Sequence, residues 1–145
     1  MRANVRVEGV DEARRAFRRL PKEAKKSLRD RTRDLSEALA SSARRAGMAS
    51  DAQSAAVAGL VKARRGETPF IAGGGTTRVT STSTPAYKII FGAEFGSNRL
   101  KQFRPHRGKL GYWLFPTVER EKTKITKAWL DVADDVIKDF TKGGA

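Results

Sequence analysis

The chain has 145 residues, 39% hydrophobic and 32% charged, with 30 Lys and Arg against 16 Asp and Glu, one histidine and no cysteine. This is one domain's length, enough to bury roughly 70% of the surface of the unfolded chain. It excludes disulfides, thiolate metal sites and a cysteine nucleophile, and no run approaches the roughly 18 apolar residues of a membrane span.

The net charge of +14 is unevenly spread: residues 1–66 carry +9, residues 67–116 carry +5, and residues 117–145 are neutral. Such a field attracts polyanions or acidic protein partners. The N-terminus is short, charged and alternating, unlike a signal peptide.

Asn4 to Glu8 alternates Val5 and Val7 with charged residues, which predicts a short strand ended by Gly9. Asp11 caps a helix carrying Val10, Ala13, Phe17 and Leu20. Pro21 lacks an amide donor and must stop or kink that helix. A second helical run follows from Lys22 to about Ala46, with a stripe through Ala24, Leu28, Leu35, Leu39 and Ala43, and Gly47 as its terminator. Asp30–Asp34 and Arg29–Arg33 are like-charged at i,i+4, so local charge pairing does not hold it.

An alanine-rich helix is predicted over residues 51–63, and a strand over Thr68–Ala72. Gly73 to Thr84 is rich in Gly, Ser and Thr, the pattern of a flexible loop or a long hairpin tip; Gly73, Gly74, Gly75 and Arg78 are its marked positions. It lacks the lysine and GKS/T ending of a phosphate-binding loop. Ala86–Phe91 (AYKIIF) reads as a strand on β-propensity, and Tyr112–Phe115 as another. Alternation there would give two apolar faces, one of them covered by a loop or another subunit. Pro116 opens a C-terminal helix whose stripe runs through Val118, Ile125, Trp129, Val132, Ala133, Val136, Ile137 and Phe140, with Gly143 and Gly144 ending it. Clustered strands flanked by helices predict an α+β domain over residues 1–145. In it a small antiparallel sheet packs against a long N-terminal helix, kinked near Pro21, and a C-terminal amphipathic helix.

The residues that carry chemistry are few. His106 has no cysteine and no neighbouring acidic cluster to build a metal site with. Glu94 has no second carboxylate nearby for a paired-acid reaction and reads as a strand-end partner of an Arg or Lys. No cofactor, metal or catalytic set is expected. Between residues 99 and 109, Arg99, Lys101, Arg104 and Arg107 surround Phe103 and His106. Cations interleaved with an aromatic suit nucleic acid or an acidic neighbouring subunit. Phe95, Tyr112 and Trp113 complete the candidate interface, and the Arg-rich faces of residues 14–33 read as solvated helix before phosphate contact.

Phe91-Gly92-Ala93-Glu94-Phe95-Gly96-Ser97 resembles the EFG(S/T) signature of small tail-component proteins encoded between the head and tail genes of lambda-like siphophages. Gly111-Tyr112-Trp113-Leu114-Phe115-Pro116-Thr117-Val118 is similar to the version in actinobacterial phages, and departs from the Pro-Phe-(Leu)-(Arg)-Pro sequence of many members. The resemblance implies a non-enzymatic neck or tail-completion protein of the virion. Its subunits would form a ring, a hexamer, joining the connector to the tail tube or tail terminator while DNA passes. The residues add a structural expectation: Phe95 anchors in the core while Gly96 takes a backbone shape closed to other residues. A basic nucleic-acid-binding module is the alternative.

Overall fold

A computed structural model of the chain describes residues 2–4, 10–76, 78–79, 83–109 and 111–142. The predicted strand residues Val5, Val7 and Glu8, with Gly9, lie outside them, as do Thr77, residues 80–82, Gly143 and Gly144. The elements run β1 (Arg2–Asn4), α1 (Val10–Arg18), α2 (Lys22–Met48), α3 (Ala52–Ala58), β2 (Val61–Ala63), β3 (Phe70–Gly73), β4 (Arg78–Val79), β5 (Thr84–Pro85), α4 (Ala86–Phe95) and α5 (Leu114–Lys142). The architecture is α+β. β3 is central in an antiparallel β1-β3-β2 sheet, with Arg2 opposite Ala72 and Val61 opposite Gly73, and β4-β5 is a separate hairpin ladder.

Pro21 separates α1 from α2 as its sequence predicts, and stands at the N-cap of α2. α2 and α5 cross both parts of the core. At one end Phe17, Ala24, Leu28, Trp129, Ala133 and Val136 pack together, with Trp129 fully buried, its ring 6.3 Å from that of Phe17 and its Nε1 donating to Glu67 O at 2.7 Å. At the other end Leu39, Ala43, Val57, Val61, Ile71, Ile90 and Leu114 join α2, α3, the sheet, α4 and the start of α5. The predicted stripe of α5 is thus the surface that faces the core.

Four local expectations are corrected. Ala86–Phe91 is helical, within α4, not a strand. A strand would group Tyr87, Ile89 and Phe91 on one face, whereas the fold buries Ala86, Ile90 and Ala93 at i, i+4 and i+7 and leaves Tyr87 and Phe91 40% and 57% exposed. Packing overrides β-propensity here. Tyr112–Phe115 is not a strand either: α5 begins at Leu114, two residues before Pro116. The helix predicted over 51–63 ends at Ala58, and Val61–Ala63 turns back to pair with β3. Gly47 does not terminate α2 but lies buried inside it, and Ala49 is the C-cap.

Candidate functional site

The two segments that carry the phage resemblance meet in space, and a carboxylate joins them. Glu94, at the end of α4, is fully buried. Its Oε2 accepts from the amides of Trp113 at 3.0 Å and Leu114 at 2.6 Å, and its Oε1 from Phe115 at 2.9 Å. A helix leaves its first amides without internal partners. At α5 these are Leu114 and Phe115, followed by Pro116, which has no amide hydrogen; Thr117 N then donates to Trp113 O at 3.1 Å and starts the helical ladder. Glu94 therefore satisfies the open end of α5, where its negative charge also meets the positive end of the helix dipole. The expected pairing of Glu94 with an Arg or Lys is replaced by this cap, and no ion pair reaches it among the described residues.

Two glycines make the junction possible. Gly96 has φ +74°, and a Cβ there would overlap the carbonyls of Arg104 and Pro105. Gly111 is buried against the Glu94 carboxylate with no room for a side chain. Phe95 does not enter the core as expected. It is half-buried between the rings of Phe91, at 4.9 Å, and Phe115, at 5.5 Å, because the inward position of the motif belongs to Glu94.

The basic segment is braced. Ser97 N donates to Arg104 O at 2.8 Å, and the Ser97 hydroxyl accepts from the amides of Arg99 and Leu100. The guanidinium groups of Arg104 and Arg107 lie over the Tyr112 ring at 3.8 and 4.0 Å, a cation–π arrangement. Tyr112 Oη donates to Pro105 O at 2.7 Å, and Arg107 to Gly111 O at 3.1 Å. Arg104 also donates to Ser50 at 2.7 Å and lies 3.5 Å from Asp51. His106 is exposed, with Nδ1 2.9 Å from Phe95 O.

Of the predicted interface residues, Arg99, Lys101, His106 and Arg107 are exposed, whereas Phe95, Phe103, Arg104 and Tyr112 are half-buried. Trp113 is corrected: it is 2% exposed and belongs to the core. Phe103 packs on the core and helps line a cleft of about 610 Å³ with Val57, Val79, Ile89 and Leu100. Phe91, which sequence reasoning left out of the interface, is exposed and lines a second cleft. That cleft has about 570 Å³ and is lined by Phe91, Phe95, Phe115, His106, Lys109 and Glu119. The signal was present in the motif, since Phe91 and Phe95 are four apart and share a helix face.

The glycine-rich segment is partly tied. Gly73 ends β3, Gly74 N donates to Leu60 O at 3.2 Å, Tyr87 N donates to Gly75 O at 3.2 Å, and Arg78 bonds the carbonyl of Ser83. Among the described residues no three His, Cys, Asp or Glu side chains are grouped to hold a metal, and no helix is long and apolar enough to cross a membrane. Comparison with protein-family models, curated proteins and solved structures finds no match.

Proposed function

We propose that this chain is a structural subunit of the head–tail junction of a tailed bacteriophage, acting in the virion by oligomerisation and docking rather than by catalysis. The observation that carries the reading is the Glu94 junction. The residues of the resembled signature, Glu94, Gly96 and Gly111–Pro116, are used to cap a helix and seat a loop, a structural use that supports this reading. Beside that junction, the ladder of Phe91, Phe95 and Phe115 opens to the surface between Lys109 and His106. An exposed aromatic cleft with a polar rim is the anatomy of a protein-docking surface. In the proposed role the subunit joins a ring, hexameric as in the family it resembles, between the connector and the tail.

Mass spectrometry of purified virions tests the role. The protein is expected in mature particles at a stoichiometry set by the ring, and its absence from them would overturn a structural assignment.

A further inference from the structure

The charges on α2 are sorted by sign. Lys22, Lys26, Arg29 and Arg33 recur at intervals of four, three and four, which places them in one stripe along the helix. Glu23, Asp30, Asp34 and Glu37 recur at seven, four and three, forming an acidic stripe beside it. Two of these four acids and one of the four cations have ion-pair partners among the described residues. Asp30 meets Arg65 at 3.0 Å and Glu37 meets Arg44 at 2.5 Å. Lys22, Lys26 and Arg33 are exposed and have no ion pair or side-chain hydrogen bond among the described residues; only Arg29 reaches a carboxylate, Glu67, at 3.4 Å. Arg18 and Arg19, at the end of α1, are also exposed and have no ion pair or side-chain hydrogen bond among the described residues. Like charges three and four apart oppose helix formation. The acids of the neighbouring stripe stand three or four residues from Lys26 and Arg33 and offset part of that repulsion, but Lys22, Lys26 and Arg33 make no direct ion pair among the described residues.

We propose that this stripe binds the phosphate backbone of a nucleic-acid duplex. Two observations select a phosphate backbone over an acidic protein. First, among the described residues no large hydrophobic side chain is exposed on α1, or on α2 before Met48. Protein interfaces are anchored by desolvated apolar residues, whereas backbone binding is driven chiefly by cations and needs no apolar anchor. Second, the stripe is straight and regular, rising about 17 Å from Lys22 to Arg33 at 1.5 Å per residue. A duplex offers a phosphate charge about every 1.7 Å of its axis, so each cation has phosphates within reach. Binding through phosphate contacts carries no sequence information, so the proposed binding is indifferent to sequence. The surface is distinct from the Phe91 cleft and does not require assembly.

Titration of a labelled DNA duplex and an RNA hairpin with the full chain, over a salt series, tests this. Log K is expected to fall against log salt with a slope of about −4 or steeper, at about −0.9 for each phosphate neutralised. The triple variant Lys22→Gln/Lys26→Gln/Arg33→Gln is expected to flatten the slope by about 2 to 3. The variant Arg99→Gln/Lys101→Gln/Lys109→Gln loses the same net charge from the loop and is expected to leave it unchanged. Circular dichroism checks that both fold; should the triple variant fail, Lys26→Gln alone is expected to flatten the slope by about 1. Stripe-dependent binding to either nucleic acid supports the proposal. Binding to neither at low salt overturns it, as does equal flattening by both triple variants or flattening by the loop variant alone.

Discussion

Glu94 satisfies three backbone amides from a fully buried position, so its removal strands donors that water cannot reach. Hydrogen bonds to charged groups contribute about 1.5–3 kcal/mol each, and a buried donor left alone costs a similar amount. Glu94→Gln keeps the shape but turns one acceptor into a donor facing an amide, and is expected to lose about 2 kcal/mol. Glu94→Ala is expected to lose about 4 kcal/mol, combining the stranded donors with a cavity. Urea unfolding measures both, and midpoints equal to wild type would remove the capping role. Gly111→Ala forces a methyl group into the same carboxylate and is expected to cost about 2 kcal/mol or more. The cap was half-legible. Glu94 stands out in an acid-poor region, and the residue before α5 is Trp113, which cannot cap a helix. That the two answer each other depends on α4 and the start of α5 meeting in space, which no local pattern encodes.

At the scale of elements, the contrast between α3 and α4 shows what decides a helix. α3 carries its own start signal: Asp51 accepts from Ser54 N at 3.0 Å. Burial pushes the Asp51 carboxyl up, but its hydrogen bonds to Ser54 and the nearby Arg104 outweigh this and hold it below the ordinary 3.8. A folded value below the unfolded one means that the stabilisation is complete above the unfolded value and is lost as pH falls through the folded one. Asp51→Asn, which keeps an acceptor without the charge, is therefore expected to be less stable than wild type at neutral pH, with the gap closing as pH falls below the ordinary 3.8. Denaturant midpoints across an acid series check this, and a gap constant with pH would count against the charge effect. α4 has no such signal. Pro85 precedes it without a side-chain cap, and its AYKIIF sequence favours a strand. It is helical because Ala86, Ile90 and Ala93 at helical spacing can all be buried, a choice visible only when the neighbouring surfaces exist.

At the scale of the molecule, α2 and α5 tie two clusters of buried side chains together, and the two surfaces proposed to bind partners lie at opposite chemical extremes. One is the aromatic cleft of Phe91, Phe95 and Phe115; the other is the basic stripe of α2. Phe91 is 57% exposed and its ring meets Phe95, so Phe91→Ser should lower monomer stability by only about 0.5–1.5 kcal/mol, the worth of one aromatic pair. If the cleft docks a neighbouring copy, sedimentation should show wild-type chain associating and the variant remaining monomeric at the same concentration. Identical sedimentation would remove the cleft from self-assembly.

Local residue pattern was enough to set the helices that carry their own periodicity and punctuation: α1 stopped before Pro21, the long α2, and α5 with its apolar stripe through Trp129. It also determined the sorting of charge along α2, because helical spacing alone aligns Lys22, Lys26, Arg29 and Arg33. Tertiary structure decided the elements whose local signals were weak or pointed elsewhere. Val61–Ala63 left a predicted helix to pair with β3, α4 formed against its propensity, and Trp113 went into the core. The physical reason is common to all three. Short segments gain too little from their own backbone preferences to resist burial, and which face is buried is set by partners far away in the chain. Glu94 is the clearest case: its role at the start of α5 exists only because residues 19 to 21 positions away return to meet it.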